Sequence, residues 1–126
     1  MNSMDIIIPK DCGNAPKKQI LIQFTLAVWN KKMDVIQQYA HESIEWHQLK
    51  IKKTSGLHEF MEAIQAGSTK TIERLEVFHV ITHGKWASMN GVITYEDKSI
   101  VDFCDVYTFN NHSKSAKIIE VKSYQV

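Results

Sequence analysis

The sequence predicts a single α+β domain. Three observations carry that expectation: helical periodicity is confined to the first half of the chain, long β-rich runs fill the second half, and short polar turns join those runs. Helices segregated from consecutive hairpins give an α+β arrangement rather than an alternating parallel one.

Taken in order, Met1 to Gly13 reads as an N-terminal arm: a brief apolar run, Ile6 to Ile8, is stopped by Pro9 and a polar turn. Asn14 is then placed to cap a helix over Ala15 to Trp29. Its apolar residues Ile20, Leu21, Phe24, Ala27 and Val28 recur at three- and four-residue steps, and Pro16 lies in the first turn, where its missing N–H costs nothing. Asn30 to Lys32 breaks this helix, and Val35, Ile36, Tyr39 and Ala40 form a shorter second one. Ile44 to Leu49 mixes β-branched and aromatic residues as a strand does. Thr54-Ser55-Gly56 opens a third helix with Leu57, Phe60, Met61 and Ile64 on its apolar face and Gly67 at its stop.

Beyond Gly67 the character changes. Ile72 to His83, Lys85 to Tyr95, Ser99 to Phe109 and Ala116 to Tyr124 are rich in Val, Ile, Thr, Phe and Tyr, separated by His83-Gly84, by Glu96-Asp97-Lys98 and by a polar stretch from Asn110 to Ser115. Connections this short imply antiparallel neighbours.

Composition sets the function classes. A chain of 126 residues with 44% hydrophobic and 23% charged residues can bury a core unaided, and 1–126 reads as one domain without a linker or repeat. Fifteen basic against fourteen acidic side chains leave +1, too little for the field that nucleic-acid binding needs. The short clusters at Lys17-Lys18, Lys31-Lys32 and Lys50 to Lys53 read as solvated element ends. Cys12 and Cys104 show no paired spacing and are expected to be reduced thiols. The longest uncharged stretch, Gln19 to Asn30, is too short to cross a bilayer, and the N-terminus has no secretory pattern, so a cytoplasmic protein with no membrane partner is expected.

The element order, with Ser43-Ile44-Glu45-Trp46 after the helix pair, Ser55-Gly56 at the third helix, the His83-Gly84-Lys85 turn, and Val101-Asp102-Phe103-Cys104-Asp105-Val106-Tyr107-Thr108-Phe109 leading to Ile118-Ile119, resembles the nuclear transport factor 2-like superfamily and its SnoaL-like bacterial members. The resemblance spans nearly the whole chain. It implies a cone, with three N-terminal helices packed on a strongly bent mixed or antiparallel sheet that encloses a pocket, and commonly a homodimer formed through the outer sheet face. It does not imply one activity, since one fold hosts many.

Successive strand residues face opposite sides, so Val101, Phe103, Asp105, Tyr107 and Phe109 share one face and Asp102, Cys104, Val106 and Thr108 the other. The resemblance makes the first set concave. A carboxylate among aromatics there loses hydration and has its pKa raised, as a proton-transferring group requires. The competing reading is an Asp hydrogen-bonded for structure or binding. Asp102 faces away from Asp105 and cannot pair with it.

His79 and His83 have helical metal spacing, but on a strand roughly 13 Å separates them, and no other ligand motif occurs. No metal and no cofactor is expected. His83, at a strand end, is placed at the pocket rim. By the resemblance Trp46 stands where ketosteroid isomerases carry their base, which indole cannot replace. His47 points away from Trp46 in a regular strand. Trp86, Ser88 and Asn90 share a face, and a buried Asn90 needs a partner. Trp29 and Tyr39, on helix faces, fit a core more readily than a ligand contact.

The expected function is therefore binding of a small hydrophobic or amphipathic molecule, with Trp46, His47, Trp86, Asn90 and Tyr39 as contacts, in a homodimer. The alternatives are a cofactor-independent cyclase, isomerase or hydrolase with Asp105 as acid or base assisted by His83 and Tyr107, and a protein-interaction module using the sheet surface.

Overall fold

The computed structural model describes residues 5–9, 16–67, 69–113 and 115–126. The expected turn at 10–14, the Asn14 cap and Cys12 lie outside them. The element order is β1 (Asp5–Ile7), α1 (Pro16–Asn30), α2 (Met33–Tyr39), β2 (Ala40–Gln48), β3 (Lys52–Ser55), α3 (Leu57–Gln65), β4 (Ile72–His83), β5 (Trp86–Tyr95), β6 (Ile100–Phe109) and β7 (Ile118–Gln125).

The strands form one seven-stranded sheet in the order β1-β4-β5-β6-β7-β2-β3. The hairpins β4-β5, β5-β6 and β6-β7 are antiparallel, as their short turns require. β2 returns to lie parallel to β7, and β1 parallel to β4, so the sheet is mixed.

Two edge strands depart from the sequence expectation. The arm over Asp5–Ile7 is a strand paired to Arg74, Leu75 and Glu76. Lys52–Ser55, expected to lead into helix three, pairs antiparallel with Glu45 to Gln48. Such short segments take their conformation from the neighbour whose backbone groups they satisfy. Ala40, assigned to helix two by periodicity, is the first residue of β2 and is buried. The third helix follows β2 and β3, its N-terminus set by Gly56 at φ 89°, a backbone region that a Cβ disfavours.

The core lies between the helices and the sheet's inner face. Leu21, Phe24 and Ala27 of α1, Ile36 of α2, and Phe60 and Ile64 of α3 meet Leu75, Val77, Met89, Ile93, Phe103, Tyr107, Phe109, Ile118 and Val121. Each fully buried large apolar side chain contributes roughly 1.5–3 kcal/mol. Burial along β5 alternates strictly from Ala87 to Tyr95, with the odd-numbered residues inside.

The register of β4 against β5 slips between Val77 and His79, leaving Phe78 unpaired in a bulge. Gly91 sits opposite Val77, and a Cβ there would overlap the Glu76 carbonyl oxygen. The backbone approach at this bulge therefore needs glycine, and the bulge bends the strand over the core.

Candidate functional site

Asp105 faces inward from β6. Its ladder neighbours are Met89 on β5 and Ser123 on β7. One row along, Tyr107 stands between Ala87 and Val121, and Val121 is in turn paired with Trp46 of β2. Directly paired strand residues share a face, so register alone brings Asp105, Tyr107, Ser123 and Trp46 to the same side of the sheet. Helix α1 covers them with Phe24 and Thr25, and α3 with Phe60.

These side chains form a connected polar network in an aromatic setting. The Trp46 indole N–H donates to Ser123 Oγ at 2.8 Å. Tyr107 Oη donates to Asp105 Oδ2 at 3.3 Å and shares a 3.0 Å hydrogen bond with Thr25 Oγ1. The Ser123 hydroxyl also donates to Asp105. Asp105 is only 9% exposed, and burial pushes its carboxyl up to about 6, partly offset by the hydrogen bonds from Ser123 and Tyr107. Burial and the charge of Asp105 likewise push the Tyr107 phenol well above its ordinary range.

The network closes a narrow recess of about 30 Å³, lined by Phe24, Trp46, Phe60, Asp105 and Tyr107 among others, with room for roughly one or two water molecules. Trp46 packs edge-on against Phe60 with ring centroids 5.2 Å apart, and Phe60 stacks on Phe24 at 6.0 Å. A wider vestibule of about 220 Å³ adjoins the recess, sharing Val28, Trp29, Trp46 and Gln125 with it and adding Lys31, Gln48 and Tyr95. Aromatic side chains thus occupy much of the interior that the sequence reading assigned to open pocket.

The other expected site residues lie elsewhere. Trp86 is 53% exposed at the start of β5, with Lys85 Nζ 5.4 Å from its ring centroid. Asn90 is paired with Cys104 on the outer face, where it meets His79 Nδ1 at 3.1 Å. The correction is one of register: Asp105 pairs with Met89, so the odd-numbered residues of β5 share its face and Trp86, Ser88 and Asn90 do not. His83 is exposed at the end of β4 and lines neither the recess nor the vestibule. Tyr39 Oη donates to Gln23 Oε1 at 2.6 Å, also apart from both spaces.

His47 follows Trp46 and faces outward, with Nε2 3.4 Å from Glu45 Oε1 and 3.5 Å from Glu120 Oε2. Neither contact has hydrogen-bond geometry. Among the described residues these three are the group whose ligand atoms gather within 4.8 Å, the number and kind that one cation takes. Each side chain is a third or more exposed, and Lys53 Nζ already lies 3.6 Å from Glu45.

Thr25, Ser123, Phe24 and Phe60 were not singled out as site residues from sequence. A signal existed for two of them. Thr25 falls four residues after Leu21 on the buried stripe of α1, and Ser123 alternates with Val121 along β7. No helix among the described residues is long and apolar enough to cross a membrane.

The architecture defines a class: an α+β domain with helices covering one face of a mixed, bulged sheet. No protein-family model matches the chain, and no curated protein matches it in sequence. Solved structures do match its shape. A nuclear transport factor 2-like protein of unknown function from Burkholderia pseudomallei is 13% identical with a TM-score of 0.70, covering 87% of this chain and 90% of the other. A protein assigned as a SnoaL-like polyketide cyclase from Shewanella denitrificans is 11% identical with a TM-score of 0.73, over 87% and 90%. TerC, co-crystallised with polyporic acid, is 14% identical with a TM-score of 0.70, over 87% and 91%. The chain has the nuclear transport factor 2-like fold, as its sequence resemblance implies.

Proposed function

We propose that this protein binds a small organic molecule at Asp105, with a head group in the aromatic recess and a body in the vestibule. The observation that carries the reading is a buried carboxylate among Trp46, Phe60, Phe24 and Tyr107 at the closed end of a space that widens outward. Mostly apolar walls with a few convergent polar groups are the general character of ligand sites. TerC, of the same fold, was co-crystallised with polyporic acid, which supports a ligand-binding reading of this architecture.

The test is a thermal-shift survey of a broad metabolite library with wild-type protein and Asp105→Asn, because a ligand of the native state raises its stability with occupancy. Hits that vanish in the variant support the site. Hits that persist unchanged place the ligand elsewhere.

A second reading, proton transfer by Asp105 as acid or base, is favoured by one observation: its carboxyl titrates at about 6, near a useful operating pH. The assisting group in that reading is Tyr107, the one titratable side chain hydrogen-bonded to Asp105 among the described residues. Turnover that survives Asp105→Asn would remove this reading.

The working unit in this proposal is a homodimer through the outer sheet face, where Ile81, Trp86, Val106 and Tyr124 are exposed. Trp86→Lys is expected to shift the protein from dimer to monomer in sedimentation analysis. A wild-type protein that is monomeric at high concentration rules the dimer out.

A further inference from the structure

We infer that the head group taken by the Asp105 recess is a protonated primary amine, carried on an apolar or amphipathic body. This rests on the reading of the recess as a ligand site and names the chemistry that site selects.

Buried charges in proteins are ordinarily paired with a cation or a metal. Asp105 has two hydroxyl donors, Tyr107 and Ser123, and among the described residues no Lys, Arg or His lines the recess and no salt bridge reaches its carboxylate. A carboxylate offers about four lone-pair sites, so these donors leave acceptor capacity free. An ammonium group has three donors and no acceptor, and needs only what remains.

The walls favour the same choice. Aromatic faces carry negative charge density and attract a cation, while a second anion would meet both that density and Asp105. Size narrows the class further. The recess of about 30 Å³ admits a group the size of a water molecule, which fits a primary ammonium and excludes a trimethylated head. At the mouth, Lys31 Nζ is held by the carbonyls of Gln65 and Gly67 at 3.1 and 3.3 Å. Its charge disfavours a second cationic group in the vestibule, so the ligand is a monoamine rather than a polyamine.

Asp105 has Tyr107 on its own strand, Ser123 on β7 and Met89 on β5 beside it, and the rest of the recess lining, from β2, β7, α1 and α3, carries no group that titrates near neutral pH. Of these only Asp105 titrates between pH 4 and 8. Cys104 lies on the opposite face, its thiol pushed up by burial and by the Asp105 charge. Amine binding should therefore weaken as pH falls through about 6.

The experiment is calorimetric titration of the full chain with 2-phenylethylamine, 2-phenylethanol, 3-phenylpropionate and trimethyl(2-phenylethyl)ammonium, which share one aryl body. At pH 8 the primary amine is expected to bind at least about tenfold more tightly than the other three. Its affinity should fall about tenfold per pH unit below the Asp105 titration, and Asp105→Asn should abolish the preference for the amine over the alcohol. If that variant does not fold, the wild-type pH profile decides alone. Alcohol or carboxylate binding as tight as the amine overturns the ammonium inference and leaves the recess standing as a ligand site. Binding by none of the four at millimolar concentration overturns the inference, and a library survey without hits then removes the recess reading as well.

Discussion

Replacing Asp105 by Asn should make the protein more stable at neutral pH, which is the reverse of what deleting a hydrogen-bonded buried residue usually does. The carboxyl titrates at about 6 in the folded chain against a reference of 3.8, so the native state binds its proton more tightly than the unfolded state does. Between those two values the native state holds the extra proton, and stability therefore falls as pH rises through that window. Above it the penalty is complete: about two units at 1.36 kcal/mol each, or about 3 kcal/mol. Asn carries no charge and escapes that penalty. Its amide can accept from one hydroxyl and donate to the other once Ser123 or Tyr107 rotates, so part of the gain, roughly 1–3 kcal/mol, should survive. The assay is urea unfolding of both proteins from pH 4 to pH 8. The stability difference should grow with pH across the window and level off above about pH 7. A difference that stays constant from pH 4 to pH 8 would refute the reasoning, because it would mean that Asp105 titrates alike folded and unfolded.

Other consequences can be measured separately. Ser123→Ala and Tyr107→Phe each remove a donor to the Asp105 carboxylate, so each should raise its titration above 6, read from carboxyl carbon chemical shifts; no movement in either would show that the hydroxyls donate elsewhere. Tyr107→Phe should also cost about 1–3 kcal/mol in urea unfolding, since it strands the buried Thr25 hydroxyl. Gly91→Ala should cost about 1–3 kcal/mol by forcing β4 away from β5 at the bulge, and a loss below about 0.5 kcal/mol would show that the backbone relaxes freely there.

What was legible in the sequence follows the range of the interactions involved. The ladder from β4 to β7 could be read because strand alternation and turn residues are local signals; the same alternation put Asp105 and Tyr107 on one face, and the family resemblance made that face the inward one. The edge strands β1 and β3 carry three and four residues, too few for a period of their own, and exist through pairing with Arg74 to Glu76 and Glu45 to Gln48. Trp86 and Asn90 were assigned inward for their chemistry, whereas the face they occupy is set by the β5-β6 register, which no single strand reveals. For Thr25 and Ser123 the sequence signals burial through their place on the α1 stripe and the β7 alternation, but not the contacts they make. They matter because one meets Tyr107 from 82 positions away and the other is the ladder partner of Asp105.

That dependence on register also explains why the recess is so narrow. Trp46 stands where a smaller side chain would leave space, and its indole both packs on Phe60 and fixes Ser123, which in turn holds Asp105. The same residue therefore limits the volume and orients the acid. A ligand group that enters must be small enough to pass the indole and polar enough to replace water at a carboxylate that two hydroxyls already restrain. In the proposed ligand-site reading, selectivity is consequently a matter of head-group charge and size, while the vestibule, with Gln48, Gln125, Tyr95 and Trp29 around a wider space, would accept bodies of varied shape.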